Sequence, residues 1–418
     1  MGREPIAARR PPPLHPRPDG PRLVVVTEPS CFATDVQAEF TIGSVSSSAV
    51  TTATSARFPA ARLRAGMYES FYLRAISPDE PTAVWIRYTV QKRPGQLSKG
   101  SVWCTVFDAR RGEPLMQKLT TERLRAPLGN WIAIGEESEI GPAGARGSCG
   151  EARWSLRFDS REPELRHLSP SLLYRLLLPR TKLTSPAPVA SFDGTVELGE
   201  RGAIELRGWS GMVGHNWGSE HAERWIWLHG LDFETAPGAW IDVALGRLRI
   251  AGRMTPWVAN GALSLDGRRF RVGGLRARGV QVAEGPGGCT LHLPGEHGLT
   301  LEARAEVPAG SAAGWRYADP HGGEHHVINC SVAALELRVR VHEGAQPRTL
   351  CTAHGGAYEL GMREHDHGVP IAPFLDGEQV SVDSTLTQVK TDARSDVAHV
   401  GCANVLTPEL FRNETVRR

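Results

Sequence analysis

From about residue 57 onward the chain alternates short runs rich in Val, Ile, Trp, Tyr and Phe with Gly, Pro, Asp or Asn, a pattern of strands separated by turns. It predicts a first series of strands over 67–75, 83–90, 101–108, 115–124, 131–134, 151–158 and 191–198. A second series follows over 203–209, 224–233, 238–250, 262–265, 268–272, 289–293, 299–305, 327–341 and 350–360. Two runs of strands without interleaved helices predict an all-β protein of two packed antiparallel units, over 57–200 and 201–405. One helix is expected in the linker, over 169–178 (SPSLLYRLLL), with Ser169 as N-cap, Pro170 at the first helical position and Pro179 at its end. Another is expected to begin at Thr407-Pro408-Glu409 in a short tail over 406–418. Residues 1–56 combine a Pro/Arg-rich stretch with a Ser/Thr/Ala tract and read as a disordered leader.

Within the second series the alternation from Trp225 is informative. Trp225, Trp227, His229, Leu231 and Phe233 share one face; Arg224, Ile226, Leu228, Gly230 and Asp232 share the other. Both faces are largely apolar, so this strand is expected to be covered on one side by its own unit and on the other by the first unit or the linker. A faint internal echo, MYESFYLRA/AVWIRYTV/GSVWCTVFD against GHNWGSEH/RWIWLHGLDF/GAWIDVALG, suggests duplication of one architecture.

Composition narrows the function classes. A formal charge of +2 over 418 residues argues against nucleic-acid binding or an electrostatic membrane surface. The seven cysteines are scattered singly, which fits buried thiols in a reducing compartment better than a disulfide framework. The sequence contains no export signal and no run of 18 apolar residues, so a soluble, cytoplasmic protein is expected.

The stretch GHNWGSEHAERWIWLHG, residues 214–230, concentrates the candidate chemistry. His215, Asn216, Glu220, His221 and Glu223 form a polar turn beside a Trp-rich strand, the usual make-up of a small-molecule site at the mouth of an apolar cavity. Ordinary roles fit these residues equally: a loop histidine bonded to a carbonyl, or a glutamate in a solvated turn. Metal binding comes to mind at His365-Asp366-His367 and at His321 with Glu324-His325-His326, but no third ligand at a familiar spacing completes either set, and no metal is expected. No phosphate loop, serine-hydrolase elbow or cysteine-nucleophile context is present, so no cofactor is expected.

Asn216-Trp217-Gly218 followed by Trp225-Ile226-Trp227 resembles the central signature of the lipocalin-like tocopherol cyclase and carotenoid 1,2-hydratase (AttH-type) superfamily. Tyr68-Glu69-Ser70-Phe71-Tyr72-Leu73-Arg74, with Trp85-Ile86, Trp103 and Phe107-Asp108, resembles its opening strands, and Gly356-Ala357-Tyr358-Glu359-Leu360-Gly361 its closing strand. The resemblance implies two tandem lipocalin-like antiparallel β-barrels joined by the helical linker, with an apolar cavity in or between them. It also implies an isoprenoid, polyene or polyketide ligand and acid-initiated hydration or cyclisation, the alternative being a non-catalytic carrier of a lipid-like molecule. Such chemistry needs a carboxyl kept protonated by apolar surroundings and aromatic faces against the cation. The candidate acids are Asp242, Glu69, Asp232 and Glu359, with His215 as a further catalytic candidate. The expected ligand contacts are Asn216, Trp217, Trp225, Trp227, His229, Tyr68 and Tyr358.

Overall fold

The computed structural model describes residues 54–373; the leader up to residue 53, the 374–405 stretch and the C-terminal tail with its expected helix lie outside the described residues. The described chain is all-β, with 3-10 turns and no α-helix. Its strands form two large antiparallel sheets of twelve and ten strands and one two-stranded ribbon.

In the twelve-stranded sheet Leu115–Thr121, Lys99–Asp108, Thr82–Lys92, Met67–Ile76, Ala203–Gly218, Thr181–Leu198 and Ala152–Ser160 lie side by side, continuing to Leu124–Arg125 at the far edge. The ten-stranded sheet runs from Arg268–Gly273 through Val258–Leu265, Trp240–Arg247, Arg224–Gly230, Arg348–Met362 and Glu324–Arg340 to Gln281–Gly285. A bridge between Val272 and Gly295 brings opposite sides of this second sheet together, making a nearly closed antiparallel barrel. Of the two barrels expected, this is the one found; in the other sheet the end strands Leu115–Thr121 and Leu124–Arg125 do not pair with each other.

Ala203–Gly218 pairs with Met67–Ile76 and Thr181–Leu198. The residues expected as a turn, His215-Asn216-Trp217, are therefore the end of a long strand of the first sheet. The change of sheet falls between Gly218 and Arg224.

The linker helix is replaced by a four-residue 3-10 turn, Ser171–Tyr174. The segment is instead held from one side chain: the Lys182 ammonium donates to Leu173 O at 2.7 Å, Leu176 O at 2.9 Å and Pro179 O, and of these only Leu173 O would have accepted a bond within the expected helix. A cation bonded to three carbonyls is a stronger arrangement than neutral helix bonds in so short a segment.

The period-2 rule explains how two cores coexist. On Thr82–Lys92, Val84, Ile86, Tyr88 and Val90 fill the first sheet's interior, while Ala83 and Trp85 pack into the core of the second. Val102, Cys104 and Val106 divide from Trp103 and Phe107 in the same way on Lys99–Asp108. Trp103 stands edge-on to Trp315 with centroids 4.7 Å apart.

Polar bonds fix the relative position of the sheets. Arg74, on Met67–Ile76, is fully buried and donates from Nε and Nη2 to Ser331 O at 3.1 and 2.7 Å, from Nη2 to Gly356 O at 2.9 Å, and from Nη1 to His229 Nδ1 at 3.3 Å. Ser331 lies where the pairing of Glu324–Arg340 with Arg348–Met362 slips its register, between Cys330 and Ala333, and a bulge of this kind frees a carbonyl from the ladder. Burial pushes the guanidinium down to about 10, which leaves it charged at neutral pH. Replacing it strands buried carbonyls, so Arg74→Met is expected to lose roughly 3 kcal/mol or more in urea denaturation. Arg74→Lys, which keeps the charge but not the fork, should lose less; equal losses in both variants would refute the role of the fork.

Candidate functional site

A cavity of about 470 Å³ opens where the two sheets and the 167–183 linker meet. The first sheet contributes Tyr68, Tyr72, Trp85, Arg87 and Asn216; the barrel contributes Trp225, Trp227, Ala244, Tyr317 and Glu359; the linker adds Leu173, Leu176, Leu178 and Pro179. Two glycines make room for the rings. A Cβ on Gly214 would fall within 2.5 Å of the Tyr72 ring, and one on Gly361 within 2.5 Å of the Trp225 indole. The linker leucines remain partly open to solvent, Leu176 at 48% and Leu178 at 49%, and form an apolar mouth.

Behind Trp227 lies a buried polar cluster. Asp242 Oδ1 accepts from Trp227 Nε1 and His167 Nε2, both at 3.0 Å, and Oδ2 accepts from Ser185 Oγ at 2.5 Å. Burial alone would raise the carboxyl, but the charge and hydrogen bond of His167, the proximity of His229 and the Ser185 bond outweigh it and hold Asp242 at about 2. Asp242 is thus the inward-facing acid expected from GAWIDVAL, yet it is ionised, and it joins the linker and Thr181–Leu198 to the barrel. His229 follows from Arg74. Because a guanidinium N–H occupies Nδ1, Nε2 carries the proton and donates to Pro188 O at 3.0 Å. Burial, reinforced by Arg74 and opposed by Asp242, pushes its imidazole down to about 4, so it is neutral.

The cavity wall itself carries a different polar set. Glu359 Oε1 accepts from Trp225 Nε1 at 2.8 Å, and Oε2 from Tyr317 OH and Asn329 Nδ2, each at 3.3 Å. Arg87 is buried, donates to Ser70 Oγ from Nε at 3.0 Å and Nη2 at 2.8 Å, and lies 4.0 Å over the Tyr317 ring, leaving Nη1 without a partner. His221 stacks on Tyr68 at 3.9 Å and bonds to Asp319 at 2.8 Å through Nδ1. Thr181 Oγ1 donates to Glu220 O, so the Tyr68 hydroxyl is the donor in its 2.6 Å bond to Thr181.

Solved structures with this architecture exist. CghA superimposes with a TM-score of 0.50 at 13% identity, over 72% of this chain and 89% of that one. The fold is that of CghA. A putative AttH from Nitrosomonas europaea matches with a TM-score of 0.44 at 12% identity, over 74% of this chain and 97% of that one. Kievitone hydratase from Nectria haematococca matches with a TM-score of 0.44 at 8% identity, over 71% and 88%. In sequence, the chain is 25% identical over 317 residues to an uncharacterized protein of Mycobacterium tuberculosis, known in two strains, covering 74% of this chain and 90% of that protein. No known protein-family profile matches the chain.

Within this fold the expected site residues divide. Tyr68, Asn216, Trp225, Trp227 and Glu359 line the cavity. Glu69 does not: its carboxylate accepts the backbone N–H groups of Arg57 and Phe58 at 2.8–2.9 Å and His215 Nε2 at 2.8 Å, pinning the start of the described chain. His215 is buried in that pair, between Phe71 and Trp217. Asp232 is exposed and bonded to Ser210, and Tyr358 points into the barrel core, donating to Gly285 O at 2.9 Å. Arg87, Tyr72, Trp85, His167 and Tyr317 were not among the expected contacts.

The state of His229 has a pH consequence. Its folded value of about 4 lies below the ordinary 6.5, so between those values the unfolded chain binds one more proton. The stability contributed by the neutral ring is complete above 6.5 and declines as pH falls towards 4. Over that window the urea stability of His229→Asn should change less steeply than the wild type, by up to about 1.4 kcal/mol per pH unit; parallel profiles would refute a neutral His229.

Proposed function

We propose that the cavity binds an extended apolar molecule of the isoprenoid, polyene or polyketide class that carries an oxygen-bearing group, and that Glu359 delivers a proton to it. The carrying observation is the wall itself: aromatic faces and leucines around one lining carboxylate, Glu359, and one guanidinium with an unpartnered N–H, Arg87. The size suits a ligand of drug-like dimensions. In this reading Arg87 receives the ligand oxygen. On taking up a proton at Oε2, whose contacts to Tyr317 and Asn329 are the longer ones, Glu359 transfers it to one alkene carbon, and the cation at the neighbouring carbon rests against Trp225 and Tyr317. Water or a ligand hydroxyl adds to that carbon, and the proton it loses returns to the carboxylate, giving hydration or cyclisation. The names of CghA's companions in fold, putative AttH and kievitone hydratase, are compatible with this reading but do not carry it.

A carrier without chemistry is the second reading. It is favoured by Asp242, buried behind Trp227, which its neighbours hold ionised.

Parinaric acid, a fluorescent polyene with a carboxylate, serves as a binding probe. It should quench the tryptophan emission of the wild type, and Ala244→Trp, which fills the cavity, should weaken binding. Arg87→Met should weaken the carboxylate probe by roughly tenfold or more, the worth of a charged hydrogen bond, and leave a polyene hydrocarbon unaffected. No quenching in the wild type would refute the binding site. With a panel of polyenes followed by mass spectrometry, Glu359→Gln should keep binding and lose product; wild-type binding without product from any substrate would decide for the carrier.

A further inference from the structure

Next to the cavity, three side chains from distant parts of the chain converge with hydrogen-bonding capacity left over. His221 follows the last strand of the first sheet, Asp319 follows Ala313–Ala318, and His325 opens Glu324–Arg340. Asp319 and His325 are fully buried. Asp319 Oδ1 accepts from the backbone N–H of His221 at 2.9 Å and lies 2.8 Å from His221 Nδ1; Oδ2 lies 3.6 Å from His325 Nδ1, beyond hydrogen-bond reach. Neither ring nitrogen of His325 has a partner, and neither does Nε2 of His221. Buried polar groups are almost always paired, so the unpaired ring nitrogens beside a buried carboxylate have capacity to take a ligand.

We propose that His221, Asp319 and His325 bind one divalent transition-metal ion, beyond the apolar-ligand reading and independent of it. One ligand atom from each residue lies within 4.8 Å of the other two. An ion bonded at about 2.0–2.2 Å spaces its tetrahedral ligands roughly 3.3–3.6 Å apart, so binding draws the three side chains closer together. Two imidazoles and one carboxylate suit zinc, cobalt or iron and exclude calcium and magnesium, which take oxygen ligands. Three protein ligands leave a position for water or a ligand oxygen, and His221 is part of the cavity lining. Arg363 is the competing cation: its Nη2 lies 3.5 Å from Asp319 Oδ2, while its Nε bonds to Glu223 at 3.0 Å. The other histidine group, His326 with His365 and His367, is chained through opposite nitrogens of His326 at 2.9 Å each and does not converge on a point.

The full-length protein, stripped with chelator, is titrated with Co²⁺ and with Zn²⁺. One equivalent should bind, Co²⁺ should show the visible spectrum of low-coordinate nitrogen and oxygen ligation, and it should quench Trp225, whose ring is 5.1 Å from that of His325. Asp319→Asn and His325→Gln should each weaken binding by roughly 100-fold, at least the effect of losing an outer-shell partner. Arg363→Gln should tighten it, and the triple variant His326→Ala, His365→Ala, His367→Ala should retain it. If His325→Gln does not fold, His221→Ala, on a partly exposed loop, must show the same loss. Absence of stoichiometric binding, or binding that survives in His221→Ala and disappears with the surface histidines, would overturn the site.

Discussion

A guanidinium buried between two sheets is the constraint on which the rest of this structure depends. A charge removed from water is tolerated only where enough acceptors surround it, and Arg74 finds Ser331 O, Gly356 O and His229 on three different strands of the barrel. The Ser331 carbonyl is available because a ladder slips its register at Cys330–Ala333. The sheets therefore cannot slide past one another without breaking several charged hydrogen bonds at once. Asp242 exerts the same constraint in the opposite sign, holding Ser185 and His167 against the barrel. Between these two anchors the packing can be incomplete, and that incompleteness is the cavity.

The division of labour on the central strands follows from the same geometry. Met67–Ile76, Thr82–Lys92 and Lys99–Asp108 are buried on both faces, one face in their own sheet's interior and the other against the barrel. The second face includes Tyr72, Arg74, Trp85 and Arg87, residues large enough to span the gap between sheets. Site and interface are thus one surface, and a substitution that alters ligand contacts on it also alters how the sheets dock.

Much of this was legible in the sequence. Strand positions followed from the alternation of apolar and turn residues, and the two-faced burial of Trp225-Ile226-Trp227 followed from period 2: Ile226 and Leu228 enter the barrel core while Trp225 and Trp227 meet the cavity. Local patterns failed where distant groups decided. Ser169-Pro170 with a leucine run reads as a helix, but Lys182 holds the segment instead. Asp242 reads as a dry acid, but His167, in a segment with no distinguishing pattern, holds it ionised. Arg87 sits in a strand whose arginine looks like any surface cation, and the His221–Asp319–His325 convergence spans 98 residues between its first two members, so no spacing reveals it.

The linker wall has a further consequence. Leu173, Leu176 and Leu178 shape the cavity, yet the segment is fastened mainly through backbone carbonyls to Lys182, and Leu172 and Leu177 stand 55% and 92% exposed. Backbone fastening is indifferent to side-chain identity. The exposed leucines, Leu172, Leu176, Leu177 and Leu178, therefore carry little of the segment's attachment, whereas Leu173, 7% exposed, is packed in place.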